Sequence, residues 1–322
     1  MQTPAKTRFL KSASIIFVCI MSINSVLYAQ PVADGSPQPL LNNSDQFIRP
    51  HWSPTVNQLA FTQPGFDGIW TYDLNSEQLL QITELSGTGY GFSWAADGSH
   101  ILTRSTKFEG RRNSHAVALI SANGSSEELL TDYIPAMPAL PSWRSNSVNY
   151  VHGEEHKQIK QVLPARKALT SHASAFIKDN ELVLYRDGQE NVIQTPFQDE
   201  RLLNVVLSPD QSTIAFEVYG GNLFTYTISS GNLVDHGQGN RPSFSPDGQY
   251  IIYMQAEDNG HDYTKSDLIA SSIDGNTQVN LTSDTDLICL NPSWSPDGKQ
   301  IAFDEATEDR IYLLPVSFEV QK

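Results

Sequence analysis

The residues best able to do chemistry in this chain are few, and their spacing excludes most reactions. His152-Gly153-Glu154-Glu155-His156 has the composition of a metal site. Two histidines four residues apart converge on one ion when a helix carries them; here they lie between two predicted strands and read as a solvated turn. Gly87-Thr88-Gly89-Tyr90-Gly91 lacks both the spacing of a dinucleotide fingerprint and a helical pattern after it, so its glycines belong to turns. No Gly-x-Ser-x-Gly nucleophile elbow occurs. The sequence thus offers no catalytic residue, no metal-ligand set and no cofactor motif.

Recognition chemistry is better represented. Arg49-Pro50, Arg241-Pro242 and Asn291-Pro292 each open a predicted strand, where proline is tolerated because a first residue need not donate to a ladder. Their common placement predicts a polar, partly cationic ring of Arg49, Arg241 and Asn291, with His51 the one histidine set beside it. Guanidinium pairs take carboxylates bidentately, so the ring suits an acidic peptide or a carboxylated ligand; hydrogen bonding within the scaffold is the competing role. Two charged loops add candidates, Arg104 to His115 with Lys107, Arg111 and Arg112, and Glu257 to Asp267 with Asp258, His261, Asp262 and Lys265.

These residues are positioned by a repeated phrase. It appears as Trp52-Ser53-Pro54, Leu207-Ser208-Pro209-Asp210, Phe244-Ser245-Pro246-Asp247-Gly248 and Trp294-Ser295-Pro296-Asp297-Gly298, with weaker copies at Trp94-Ala95-Ala96-Asp97-Gly98 and Trp143-Arg144-Ser145-Asn146. Serine ends a strand, proline presets the first corner of a turn, and Asp-Gly completes the reversal. An apolar strand follows, such as Leu59-Ala60-Phe61, Ile214-Ala215-Phe216, Ile251-Ile252-Tyr253 or Ile301-Ala302-Phe303, with no polar alternation and so buried on both faces. Two further strands complete each unit, for example Ile69-Trp70-Thr71-Tyr72 and the run ending Ile82-Thr83. Four strands per unit, stacked as an array, describe an all-β propeller of four-stranded antiparallel blades.

The aromatic or aliphatic residues that open the copies, at 52, 94, 143, 207, 244 and 294, lie 42, 49, 64, 37 and 50 residues apart. Six blades are expected. The long gap after Trp143 leaves a seventh open, with Ser174 to Ile177, Glu181 to Arg186 and Asn191 to Thr195 as either a degenerate blade or an elaboration of the third. In a propeller the connections between second and third strands share a face with the starts of the inner strands, and the Ser-Pro-Asp-Gly turns occupy the opposite face. Both charged loops and the Arg49, Arg241, Asn291 ring therefore share one face, where binding surfaces are commonly built.

Pro292-Ser293-Trp294-Ser295-Pro296-Asp297-Gly298-Lys299 with Ile301-Ala302-Phe303 resembles the WD40-like repeat of TolB-type β-propellers. The resemblance covers about residues 48 to 317 and the propeller only, without the α/β domain that precedes the propeller in TolB. It implies a periplasmic binding platform. Related propellers that carry sugar-acid lyases or hydrolases imply the alternative, an enzyme with its site at the channel mouth.

Lys6, Arg8 and Lys11 precede an apolar stretch from Ala13 to Ala29, which reads as a secretory leader cleaved after Ala29. The stretch is interrupted by Ser22, Asn24 and Ser25 and is short of the ~20 apolar residues of a membrane span; no other span is expected. Cys19 lacks the context of lipoprotein processing. Residues 30–47, rich in Pro, Gly, Ser and Asn, read as a linker, 48–317 as the propeller and 318–322 as a tail. The full chain carries a net charge of −15, and removing the leader leaves 18 basic against 36 acidic residues, near −18. That charge disfavours nucleic acid. Cys289 is left as the one cysteine, so no internal disulfide forms.

These features favour a non-enzymatic, monomeric scaffold that binds a protein or peptide partner in the cell envelope, ahead of a channel-mouth enzyme and of a structural subunit of an envelope complex. Export is checked by intact mass: protein recovered from the periplasm is expected to begin near Gln30, and a full-length, membrane-embedded species would contradict it.

Overall fold

The computed structural model describes residues 29–42, 44–144, 146–160, 162–163, 173–187 and 189–320. Of the expected leader, only Ala29 falls among them.

Three copies of the repeated phrase close their hairpins with one hydrogen-bond set. Ser245 Oγ donates to Asp247 Oδ1 at 2.6 Å and accepts the Tyr250 N–H at 2.9 Å, while Asp247 Oδ1 also accepts the Gln249 N–H at 3.1 Å. Ser295 and Asp297 do the same with Gln300 and Lys299, and Ser208 and Asp210 with Thr213 and Ser212. The residue after the aspartate must take a positive φ, which Gly248 at 68° and Gly298 at 76° adopt without a Cβ penalty. In the first copy Thr55 replaces the aspartate, and the Ser53 hydroxyl is buried without a partner.

Seven antiparallel sheets follow one another along the described residues. Blade 1 holds Ile48–Trp52, Gln58–Thr62, Ile69–Asp73 and Gln78–Thr83. Blade 2 holds Phe92–Trp94, His100–Glu109, Arg112–Ser121 and Glu127–Leu129. Three strands are described in blade 3, Ser142–Arg144, Ser147–His152 and Glu155–Ile159, and three in blade 4, Ser174–Lys178, Glu181–Arg186 and Gln189–Ile193. Blade 5 runs from Leu202–Leu207 through Thr213–Val218 and Leu223–Thr227 to Asn232–Asp235. Blade 6 runs from Asn240–Phe244 through Tyr250–Asp258 and Tyr263–Ser272 to Gln278–Asn280. Blade 7 takes Cys289–Trp294, Gln300–Glu305 and Arg310–Val320.

The expectation of six blades is therefore corrected to seven. Blade 4 lacks the Ser-Pro-Asp-Gly phrase, and its first described hairpin turns at Asp179-Asn180, both at positive φ (52° and 64°), the geometry of a two-residue mirror-image turn. Counting the phrase misses it. The strand Ser174–Lys178 also runs in the sense of a second strand. The Ala173 N–H reaches Gln211 in a phrase turn of blade 5, whereas Asn180 bonds Glu200 and Leu202 where the inner strand of blade 5 starts.

The ring closes through the chain ends. Ala29–Ala33 lies on the outer edge of blade 7, with Ala29 opposite Val320 and Ala33 opposite Val316, and Gln38–Pro39 pairs with Tyr312 and Leu313 of the same strand. The segment read as a linker thus contains strand, and residues 318–320, read as a tail, are the strand it pairs with. Pairing covers an edge that would otherwise expose unbonded main-chain groups.

The core is a series of layers between blades. Phe47, Trp52, Leu59, Phe61, Ala302 and Ile311 pack between blades 7 and 1, and Tyr250, Ile252, Trp294, Ile301 and Leu314 between blades 6 and 7. Sandwiching explains why the second strands are apolar on both faces. Between blades 3 and 4 the described contacts are polar instead: Arg144 lies 3.9 Å from the Tyr185 ring centroid and pairs with Glu190 at 3.2 Å, and His156 Nε2 lies 3.2 Å from Asp179 Oδ1. His152-Gly153-Glu154-Glu155-His156 is the hairpin turn of blade 3.

Candidate functional site

The inner strands of blades 1, 5, 6 and 7 share a local defect. Each loses register once, between Ile48 and His51, Leu203 and Val206, Asn240 and Ser243, and Leu290 and Ser293. At each bulge one residue stands in the left-handed region: Arg49 at φ 57°, Asn204 at 48°, Arg241 at 57° and Asn291 at 49°. Asparagine visits that region readily and arginine does so at a cost, so something must hold the arginines there. Bulges of this kind commonly re-aim a side chain next to a site.

Buried carboxylates hold them. Asp304, on the second strand of blade 7, accepts the Arg49 main-chain N–H at 3.0 Å and the Asn291 Nδ2 at 3.0 Å. Glu217, on the second strand of blade 5, accepts the Arg241 N–H at 2.6 Å, the Asn204 Nδ2 at 2.7 Å and the Asn240 Nδ2 at 2.9 Å. The same device thus links blade 7 to blade 1 and blade 5 to blade 6. Both carboxylates are 3% exposed, a burial tolerated because their lone pairs are hydrogen-bonded. Burial still dominates at Asp304 and pushes its carboxyl up to about 7, against the opposing pull of Asn291 and Arg49.

Arg49, Arg241 and Asn291 all line one cavity of about 480 Å³ between blades 6, 7 and 1. Its wall includes Ile48, Phe66, Met254, Ile288 and Leu290, with His261, Asp262 and Tyr263 from the blade 6 hairpin and Thr307 and Asp309 from blade 7. The Arg49 guanidinium lies 4.5 Å from the Phe66 ring centroid and donates to the Tyr90 carbonyl. Burial, then the charge of Arg241, lower its pKa. Arg241 has one long contact, Nη1 to Asn204 Oδ1 at 3.4 Å.

His51 lies two residues after Arg49 on the same strand, exposed at its surface yet with protein packed around it. Burial and the charges of Arg241 and Arg49 lower its pKa to about 4, so it is a neutral imidazole, set edge-on against Phe92 at 5.0 Å. Arg111 and Arg112 are elsewhere on the same face, exposed at the tip of the long blade 2 hairpin and outside the cavity wall. Cys289 is buried, and burial raises its thiol to about 12.

Sequence reading found the three residues that precede proline and missed Asn204, Glu217 and Asp304. Asn204 precedes valine and carries no such marker. The carboxylates did have one: an acidic residue directly after a fully apolar run, in Ile214-Ala215-Phe216-Glu217 and Ile301-Ala302-Phe303-Asp304, is a buried charge that needs partners. Among the described residues no group of three or more His, Cys, Asp or Glu side chains converges as a metal site would require, and no helix is long and apolar enough to cross a membrane.

No family model and no curated protein sequence matches the chain. Solved structures do match in fold. A putative TolB from Agrobacterium tumefaciens superposes with a TM-score of 0.53 at 17% identity, over 87% of this chain and 92% of that one. The Cps50 (Swd1) β-propeller domain of Myceliophteria thermophila gives 0.55 at 11% identity, over 91% and 100%. A chain of the mitotic checkpoint complex gives 0.52 at 15%, over 98% and 99%. At these identities the likeness is one of fold: the described residues form a seven-bladed β-propeller that resembles the TolB-type and WD40-type propellers.

Proposed function

We propose that the protein is a non-enzymatic scaffold, exported to the periplasm by its leader, that recognises a protein or peptide partner with the face onto which the inner strands open. The observation that carries this reading is the uneven distribution of exposed aromatics. Tyr90 (50% exposed), Phe108 (68%), Tyr219 (65%) and Tyr263 (43%) all stand at inner-strand starts or second-to-third strand connections. On the opposite face, the turns that hold the repeated phrase expose one large apolar side chain, Val56. Arginines accompany the aromatics: Arg49 and Arg104 lie each 5.6 Å from the Tyr90 ring centroid, and Arg201 lies 5.8 Å from that of Tyr219. Tyrosine and arginine are the residue types that dominate binding energy at protein interfaces.

The face is tested by retrieving partners from envelope extract with the mature propeller. Arg241→Glu and Tyr263→Ser are expected to reduce recovery about tenfold or more, as loss of a central contact does, with unchanged circular dichroism. Lys299→Glu, in an opposite-face turn, is expected to leave recovery unchanged. Loss on Lys299→Glu with retention in the other two variants would assign recognition to the wrong face.

A further inference from the structure

We propose that the cavity between blades 6, 7 and 1 seats the side-chain carboxylate of an acidic peptide between the guanidinium groups of Arg49 and Arg241. The inference rests on the reading of this face as a recognition surface and names the chemistry it recognises.

The two arginines are copies of one construction. Each precedes a proline, each stands at φ 57° on an inner-strand bulge, and each has its main-chain N–H fixed by a buried carboxylate of the preceding blade. The placement is demanding, since a non-glycine residue is held in a sparsely populated conformation. The carboxylates that hold it are spent on main-chain and asparagine N–H groups. Neither guanidinium forms an ion pair with a carboxylate among the described residues. Two cations of a chain with net charge −15 thus face one cavity, and although Asp262, Asp304 and Asp309 also line its wall, none of them pairs with either guanidinium.

Their remaining contacts orient the guanidiniums and leave donors over. Phe66 supports the plane of Arg49 and the Tyr90 carbonyl takes one of its N–H groups, while Asn204 steadies Arg241. A planar carboxylate accepts from such forks with both oxygens. The apolar wall of Ile48, Met254, Ile288 and Leu290 says that more than a bare anion fits. A cavity of about 480 Å³ accommodates the methylenes and main chain of a peptide residue as well as its charge.

Calorimetric titration of the mature protein with capped hexaglutamate, capped hexaglutamine and inorganic phosphate tests the proposal. Hexaglutamate is expected to bind, with hexaglutamine and phosphate each at least about tenfold weaker, because a charge-assisted pair is replaced by a neutral contact or loses its apolar seat. Arg49→Gln and Arg241→Gln should each weaken hexaglutamate about tenfold, and the double variant should lose less than the product of the two, the mark of one shared group. Lys299→Glu should not change it. The proposal falls if hexaglutamate does not bind, if hexaglutamine binds equally well, or if the double variant binds as the wild type does. Phosphate binding as tight as hexaglutamate would also overturn it, in favour of a free oxyanion. If hexaglutamate fails while Tyr263→Ser still reduces partner recovery, the recognition face stands without the carboxylate seat. If hexaglutamate binds and Tyr263→Ser changes nothing, the seat stands and the partner face does not.

Discussion

Truncating Trp294 to alanine is expected to cost about 3–5 kcal/mol of stability, the range for deleting a large buried aromatic. The indole is 5% exposed, fills the layer between blades 6 and 7, and lies parallel to Phe318 at 6.1 Å. It also donates from Nε1 to the Gly298 carbonyl at 3.2 Å. Phe318 is opposite Pro31 in the closing strand pair, so the cavity would undermine the ring closure as well as the layer. Trp52→Ala, at the matched position between blades 7 and 1, is expected to fall in the same range of about 3–5 kcal/mol. Phenylalanine separates the two sites: the Trp52 indole N–H is buried without a partner, so Trp52→Phe should cost less than Trp294→Phe by about 1 kcal/mol. Chemical denaturation measures all four variants. Losses below about 1 kcal/mol for both alanine variants would mean that these tryptophans are not wedges between blades.

The second large effect is expected at Asp304. Leucine there leaves the Arg49 main-chain N–H and the Asn291 amide without their acceptor in a buried site, at about 1–3 kcal/mol for each orphaned group. Asparagine keeps a carbonyl acceptor and imitates the protonated acid, so Asp304→Asn should be far milder. The pH dependence follows from the raised pKa. A carboxyl that holds its proton more tightly in the folded than in the unfolded chain contributes stability that is fully present below about pH 4 and is lost as pH rises through about 7. His51 and His236, both lowered to about 4 chiefly by burial, act in the opposite sense, contributing stability above the ordinary histidine range that is lost as pH falls through about 4. The difference between wild type and Asp304→Asn isolates the first contribution. The variant should gain stability relative to wild type as pH is raised from about 4 to about 7; a constant or falling difference would show that Asp304 is not the titrating group.

Much of the fold is legible because it is local. The Ser-Pro-Asp-Gly phrase states its own hydrogen bonds, since a serine hydroxyl and an aspartate carboxylate reach main-chain groups only a few residues away. Blade 4 is invisible to that reading because no copy of the phrase occurs between Arg144 and Leu207. The closing strand is invisible for another reason. Ala29–Ala33 is a short, unremarkable segment whose partner lies at the far end of the chain, and nothing within a local window marks it as strand.

The candidate site divides along the same line. That Arg49, Arg241 and Asn291 stand near the starts of inner strands is written in the proline after each, which restricts where in a sheet it can stand. That the arginines and the long hairpins share a face follows because antiparallel strands alternate direction. Which of these residues meet depends on how the blades close into a ring. Closure of seven blades brings blades 6, 7 and 1 around one cavity and leaves Arg111 and Arg112 of blade 2 outside its wall. It also decided where the charges go: Asp304 and Glu217 are acidic residues in apolar strands until the next blade delivers the main-chain N–H of an arginine to each. A hydrogen bond across two blades depends on the ring angle and on a bulge in the neighbouring strand, and neither is encoded in the residues adjacent to the group that makes it.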